Sequence, residues 1–247
     1  MSPDCLNCAA PITQNFCPNC GQKSTTHRYS IKHFLIHDFV HSVWHVDKGI
    51  LFTLKALFTR PGHSVREFIQ GKRVPYFSFV TLILLILTVS GLIAPFTHGN
   101  MSDLMPQGSR SMMNDLEKFM SGHPKLILIV AIPIYSVFSF VWFRKAKLNY
   151  SEHLVLNSNR IIVELIIGLL VSILTIFYTN TKVLAFLYFG VLSFLAFVYN
   201  IWFFYQFFSG FNYTKKALLL RSILVPASYY FLSFLIGVAF AIIKLKH

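Results

Sequence analysis

The sequence has few charged residues, and acidic residues are the scarcest of them. Only 13% of its 247 residues are charged, with nine Asp and Glu against 22 Lys and Arg. Soluble domains carry about 25% charged residues, so this scarcity argues against an ordinary soluble fold. The rest of the composition agrees, because 55% of the residues are hydrophobic and 26 are Phe. The chain therefore belongs among membrane proteins by composition.

Several short motifs that accompany catalysis or transport are also missing from the sequence. It has no phosphate-binding glycine loop, no Ser/His/Asp arrangement and no HExxH motif. It also lacks the internal repeat that many secondary transporters show. We therefore expect no enzymatic activity. The N-terminus has neither the basic nor the apolar region of a secretory signal, so residues 1–75 are expected to remain in the mature protein.

Long apolar stretches dominate the C-terminal two thirds of the chain. Each is close to the roughly 20 residues that a helix needs to cross a bilayer. They lie at about 76–97, 124–143, 161–179, 183–208 and 222–243. The sequence thus predicts an all-α polytopic membrane protein with about five transmembrane helices. We divide it into residues 1–26, a small four-cysteine ribbon, residues 27–75, amphipathic interfacial helices, and residues 76–247, the transmembrane domain.

Lys and Arg are unevenly distributed between the two predicted sides of the membrane. They are concentrated in residues 1–75 and near 144–160 and 209–221, which the predicted spans place on one side. Such an excess marks the cytoplasmic side, so we expect a cytoplasmic N-terminus. The formal net charge of +13 lies between apolar segments. It favours anionic lipid headgroups as partners over nucleic acid.

All four cysteines fall within CLNCAAPITQNFCPNCG near the N-terminus. Cys5 and Cys8 form one C-x2-C pair, and Cys17 and Cys20 form a second pair eight residues later. Two such pairs supply the four thiolates of a closed tetrahedral site, which predicts one structural Zn²⁺. Iron in the same ligand set is the alternative. Disulfides are disfavoured by the expected cytoplasmic location.

Histidine recurs at every fourth position in HFLIHDFVHSVWH, at His33, His37, His41 and His45. At 1.5 Å per residue the first and last lie about 18 Å apart along a helix, so the four cannot share one ion. Neighbouring pairs could form a secondary metal site or sense pH. The simpler interpretation is the polar boundary of a helix lying in the membrane interface.

Two charged residues fall at the cytoplasmic end of the third apolar stretch. Arg160 and Glu164 are four residues apart, so they could form a functional intramembrane pair or a simple ion pair that reaches the surface. Glu152 and His153 precede them in a stretch interpreted as a loop. A carboxylate at a helix start is the simpler reading of this second pair, and acid–base chemistry is the alternative.

The segment TLKALFTRPGHSVREFIQGKRVPYFS, which follows FCPNCGQK and leads into the first span, resembles a known family. The chain is similar to bacterial zinc-ribbon membrane proteins of domain-of-unknown-function family 3667, and NYSEHLVLN is similar to that family's loop between the second and third spans. The chain departs from many relatives because no proline follows Tyr76 closely. The resemblance implies an architecture of ribbon, interfacial segment and membrane core in a bacterial inner membrane, and it implies no activity.

These observations favour a protein that acts by binding. We expect a non-catalytic subunit or adaptor of a larger membrane complex, with a protein partner at the cytoplasmic ribbon or on the transmembrane face. The alternative is a transporter, channel or lipid-handling protein in which Arg160 and Glu164 line a cavity.

Overall fold

A computed structural model describes residues 4–26, 49–97, 114–115, 118–119 and 122–245. Helices account for most of these residues, and no strand occurs among them. Two isolated β-bridges, Asp4 with Pro11 and Phe16 with Lys23, lie in the N-terminal ribbon. The predicted all-α fold with a small N-terminal cysteine module is confirmed.

Seven helices follow the ribbon within the described ranges. They are α1 Gly49–Thr59, α2 Pro61–Ile69, α3 Phe79–Ile93, α4 Pro124–Trp142, α5 Tyr150–Phe177, α6 Thr181–Phe208 and α7 Lys215–Leu245. A 3₁₀ turn, Ala94–Phe96, extends α3, and a π-helical stretch, Phe186–Leu192, interrupts α6.

Four of these helices are long and apolar enough to cross a membrane. They are α3 with its 3₁₀ extension, α5, α6 and the Lys215–Ala239 part of α7. The predicted second span corresponds to α4, which is apolar but shorter over its part Leu126–Trp142. The chain is therefore a multi-pass membrane protein, whereas the full count of five spans stays a prediction.

The stretch before the third span is a helix, so its interpretation as a loop was wrong. Helix α5 begins at Tyr150, about three turns earlier than expected, and its first residues are buried. The reason is a capping box: the Asn149 side chain accepts from the Glu152 backbone N–H at 2.9 Å, and Glu152 accepts from the Asn149 N–H at 2.8 Å. This reciprocal pair satisfies two donors that a helix start leaves open.

One end of each helix from α3 to α7 lies on the side of the bundle nearest the ribbon, where short connections join them. Residues 143–149 join α4 to α5, and residues 209–214 join α6 to α7. The last carbonyls of α6 contact α2, and α2 leads to the ribbon contact at Gly71. We call this the ribbon end of the bundle. It carries the described cations Arg60, Lys72, Arg73, Arg144, Lys145, Lys147, Lys215 and Lys216.

Helix α2 packs directly against the backbone of α6. A Cβ on Gly62 would lie 2.3 Å from the Phe207 nitrogen and 2.4 Å from the Phe203 carbonyl oxygen. Only glycine permits this approach, which is the reason for the Pro61-Gly62 pair at the helix start. The Gly62 N–H also donates to the Gln206 side-chain oxygen at 3.2 Å. The expected interfacial segment is thus partly built into the bundle.

Arg66 caps the C-terminus of α6. Its guanidinium donates to the carbonyl oxygens of Gln206 at 3.1 Å and Phe207 at 2.9 Å. The last carbonyls of a helix have no partner within the helix and carry partial negative charge. The Arg66 guanidinium therefore supplies the hydrogen-bond donors and the positive charge that the end of α6 lacks. The other guanidinium nitrogen lies 2.9 Å from Nδ1 of His63.

A second polar clamp fixes the chain between α2 and α3. Arg60 forms an ion pair with Glu67 at 3.2 Å, and the Tyr76 hydroxyl donates to Glu67 at 3.0 Å. The Phe77 N–H donates to Thr53 on α1 at 2.7 Å. These contacts tie α1, α2 and the start of α3 into one unit.

Candidate metal centre and membrane-embedded polar clusters

The ribbon consists of two matching turns, one around each cysteine pair. In the first, the Ala9 N–H donates to the Cys5 carbonyl at 2.8 Å; in the second, the Gly21 N–H donates to the Cys17 carbonyl at 2.9 Å. Ala9 and Gly21 have φ values of +59° and +74°, which only the second residue adopts without strain. The equivalent hydrogen bonds show that the C-x2-C spacing creates two copies of one knuckle.

The two knuckles bring all four sulfurs to one point. The four Sγ atoms lie within 4.8 Å of one another, with Cys5 and Cys20 separated by 3.6 Å and Cys8 and Cys17 by 3.5 Å. A tetrahedral Zn²⁺ with bonds of about 2.3 Å requires sulfurs about 3.8 Å apart. A disulfide would require about 2.05 Å. The donor set therefore fits a tetrahedral metal ion, as predicted.

The thiols of the cluster perturb one another. The Ala10 backbone N–H lowers the pKa of the Cys8 thiol to about 6. At Cys20 the Gln22 backbone N–H acts to lower the pKa, but desolvation and the sulfurs of Cys8 and Cys5 raise it to about 11. Four adjacent thiols therefore do not all ionise at neutral pH. A divalent cation would relieve this repulsion and release the remaining protons.

The ribbon is held against the bundle by one contact from each knuckle. A Cβ on Gly71, which has φ of +112°, would lie 2.7 Å from the Leu6 side chain, so Leu6 rests on this glycine. The side chain of Gln22, which is buried, accepts from the Arg73 N–H at 3.3 Å. The glycine and the arginine of GKRVPY thus form the seat of the ribbon.

Arg160 and Glu164 lie together in α5, and a third side chain from α6 joins them. Arg160 donates to Glu164 at 2.5 Å and to the Asn200 side-chain oxygen at 2.8 Å, while the Asn200 amide donates to Glu164 at 3.0 Å. The Arg160 side chain is 2% exposed and that of Glu164 is 31% exposed. The Arg160 guanidinium also stacks over the Tyr135 ring at 3.7 Å. The predicted ion pair therefore has two further partners, Asn200 and Tyr135.

This closed cluster leaves two buried groups without a hydrogen bond. They are Nε of Arg160 and the Tyr135 hydroxyl. The sequence does not predict the role of Tyr135, because it lies 25 positions from Arg160 on another helix. Asn200 carries a usable signal, since an amide inside an apolar span generally hydrogen-bonds to another helix.

His153 lies in a second buried cluster near the ribbon end, and it is not paired with Glu152. Its Nδ1 is 2.8 Å from the Ser139 hydroxyl, and Asn157 donates to Ser139 at 3.0 Å and to the His153 carbonyl at 2.9 Å. The ring is stacked against Phe208. Glu152 instead caps α5, as the simpler reading of the sequence predicted. The two side chains do not bond each other in these contacts, and acid–base chemistry at this pair stays a prediction.

The histidine face, His33, His37, His41 and His45, lies outside the described residues. Its secondary metal or pH-sensing role stays a prediction. A histidine that the sequence did not single out, His63, lies beside Arg66 on α2. Burial, followed by the charges of Arg66 and Arg60, lowers its pKa. It is therefore neutral at pH 7 and can accept from the Arg66 guanidinium.

Comparison with known families confirms the predicted resemblance. Residues 47–91 match the family described as protein of unknown function (DUF3667). This segment contains α1, α2 and most of α3, so it includes Gly62, Arg66 and Gly71, on which the seating of the ribbon depends. The match does not extend to the cysteines. No curated protein and no solved structure matches the chain.

The first prediction concerns metal content. The full chain purified in detergent should contain about one zinc per chain, because four thiolates at these distances form one closed site. Cys8→Ser should lower the content severalfold, whereas Gln14→Ser, an exposed position between the knuckles, should leave it unchanged. Elemental analysis by mass spectrometry measures both. Stoichiometric iron with visible absorption would contradict zinc, and equal metal in both variants would contradict the site.

The second prediction concerns the intramembrane cluster. Glu164→Gln removes the counter-ion of a buried guanidinium and should cost about 3 kcal/mol, the lower end for breaking a buried ion pair, because Glu164 is partly exposed. Arg160→Met should be similarly harmful. The double variant Arg160→Met/Glu164→Leu should lose less stability than the sum of the losses in the two single variants. Thermal melting in detergent tests this, and additive losses would contradict a coupled pair.

Proposed function

We propose that the protein is an adaptor of a bacterial inner-membrane complex, with its metal ribbon in the cytoplasm. The distribution of cations supports the orientation, since Lys and Arg cluster at the ribbon end, whereas the opposite end of the α5–α6 pair carries Lys182, in the first turn of α6. Cytoplasmic loops are enriched in Lys and Arg. The bound ion is proposed to be zinc with a structural role, because four thiolates leave no open coordination position.

The observation that carries the adaptor role is an exposed aromatic side chain on the seated ribbon. Leu6 and Gln22 hold the ribbon against the bundle, while the side chain of Phe16, which precedes Cys17, is 53% exposed. An exposed aromatic side chain on a metal-stabilised turn is a compact, rigid binding feature. The buried polar residues of the spans bind each other, and so they support packing. The protein partner is therefore proposed to bind at the ribbon.

The alternative, transport or lipid handling, is favoured by a different observation. The Arg160 Nε and the Tyr135 hydroxyl are buried without partners, and Glu164 is partly exposed. Such groups inside a membrane are costly and accompany ion or substrate pathways. If transport is the function, Glu164→Gln should abolish it without affecting a protein partner at the ribbon.

The third prediction tests the adaptor. The tagged chain is purified in mild detergent from its native membranes beside Phe16→Ser, Gln14→Ser and the double variant Cys17→Ser/Cys20→Ser. A stoichiometric partner should accompany the wild type and Gln14→Ser, decrease by about tenfold with Phe16→Ser, and be lost with the double variant. All variants should insert into the membrane equally well.

Two results would reject the adaptor role. The first is a wild-type chain that purifies alone after cross-linking in the membrane. The second is a partner that the Cys17→Ser/Cys20→Ser variant retains at the wild-type level, since that partner would not need the ribbon.

A further inference from the structure

A cavity of about 370 Å³ lies at the ribbon end, between the ribbon and the membrane helices. Leu6 of the ribbon forms one wall. Residues of α2, of the α4–α5 connection and of the end of α6 form the others. The cavity is thus a junction of four parts of the chain and lies where three of its membrane helices begin or end. This position is level with lipid headgroups if the helices span the bilayer.

One part of the cavity lining is apolar. Leu6, Ile69, Leu148, Phe207 and Phe211 face it. The two phenylalanine rings lie 6.0 Å apart and are stacked, so the fully buried Phe207 supports the partly exposed ring of Phe211 at the end of α6. A ligand that occupies this space can therefore place aliphatic atoms against aromatic and branched side chains, as ligands in most protein pockets do.

The other part of the lining has an excess of positive charge. Arg66 and Lys147 line the cavity together with a single carboxylate, that of Glu152. One oxygen of that carboxylate is already bound to the Asn149 N–H at 2.8 Å. Arg66 is held in place by carbonyl oxygens, so its position is fixed while its charge is retained. Cations fixed near a membrane surface attract lipid phosphates.

The geometry points to a binding site for one phospholipid with an anionic headgroup. Arg66 and Lys147 bind its phosphate, and the apolar wall holds the glycerol and the first methylenes of the acyl chains. Because Leu6 belongs to the metal ribbon, a folded ribbon completes the site. This assignment does not rest on the adaptor function, since it concerns the opposite knuckle from Phe16.

The chain offers a matched pair of variants for the fourth prediction. Lys147 lines the cavity, and Lys145, two residues earlier in the same basic turn, is exposed and does not. The zinc-loaded full chain is delipidated, and its affinity for dioleoyl phosphatidylglycerol and for dioleoyl phosphatidylcholine is measured by native mass spectrometry. The wild type and Lys145→Gln should prefer phosphatidylglycerol equally. Lys147→Gln should lose about tenfold in affinity for it.

A second variant tests the cavity without changing charge. Ala146→Phe places a large ring in the lining and should exclude the lipid while zinc content and melting temperature stay near wild type. The Cys17→Ser/Cys20→Ser variant removes the ribbon wall and should also weaken binding. Inorganic phosphate, which has no apolar part, should displace the lipid only at a concentration more than about tenfold higher.

Three outcomes would overturn the site. Equal losses in Lys145→Gln and Lys147→Gln would show that only diffuse charge attracts the lipid. Unchanged binding in a folded Ala146→Phe variant would place the lipid elsewhere. Displacement by inorganic phosphate at concentrations equal to those of the lipid would show a site for free anions. If Ala146→Phe does not fold, the comparison of the two lysines decides alone.

Discussion

The close contact between α2 and α6 is the constraint on which the rest of the structure depends. At Gly62 the two helices approach so closely that a single methyl group would overlap the backbone of α6. Arg66, one turn later, then reaches the terminal carbonyls of α6. Because α2 is fixed in this way, the following turn at Gly71 holds Leu6, and the ribbon has a defined seat. The family match over residues 47–91 includes Gly62, Arg66 and Gly71.

The bilayer explains why the polar residues occur in closed clusters. A membrane offers no water to satisfy a buried polar group, so such groups are stabilised mainly by partners within the protein. Arg160, Glu164 and Asn200 bind one another across α5 and α6. His153, Ser139 and Asn157 do the same across α4 and α5. The outward faces carry exposed apolar residues such as Leu170, Phe186 and Phe234, which suit contact with lipid.

Parts of this arrangement could be predicted from the sequence because the signals are local. The C-x2-C spacing predicts the knuckles, and apolar length predicts five spans, of which four are helices of spanning length. The start of α5 was missed because the stretch from Ser151 to Arg160 contains mostly polar residues and resembles a loop. Those residues are buried because they face other helices, and this burial depends on tertiary packing that the local sequence does not reveal. The capping pair Asn149 and Glu152 was the available local signal.

The clusters themselves depend on contacts between distant positions, and a single sequence does not reveal them. Asn200 meets Arg160 over 40 positions, and Arg66 meets the end of α6 over about 140 positions. The role of Gly62 also depends on a distant contact. Its neighbour Pro61 suggests a turn, whereas in the structure the missing side chain allows the backbone of α6 to approach. The polar residues could thus be selected as candidates, but their grouping required the structure.

The most direct test of this account is the melting temperature of Gly62→Ala beside Gly91→Ala, both in the full chain in detergent. Both glycines are helical, but a Cβ at Gly91 has nothing within 4 Å. Gly91→Ala should leave the melting temperature unchanged or raise it slightly. Gly62→Ala should lower it by several degrees, corresponding to about 1–3 kcal/mol of overpacking. If Gly62→Ala melts with the wild type, the α2–α6 contact does not hold the ribbon end together.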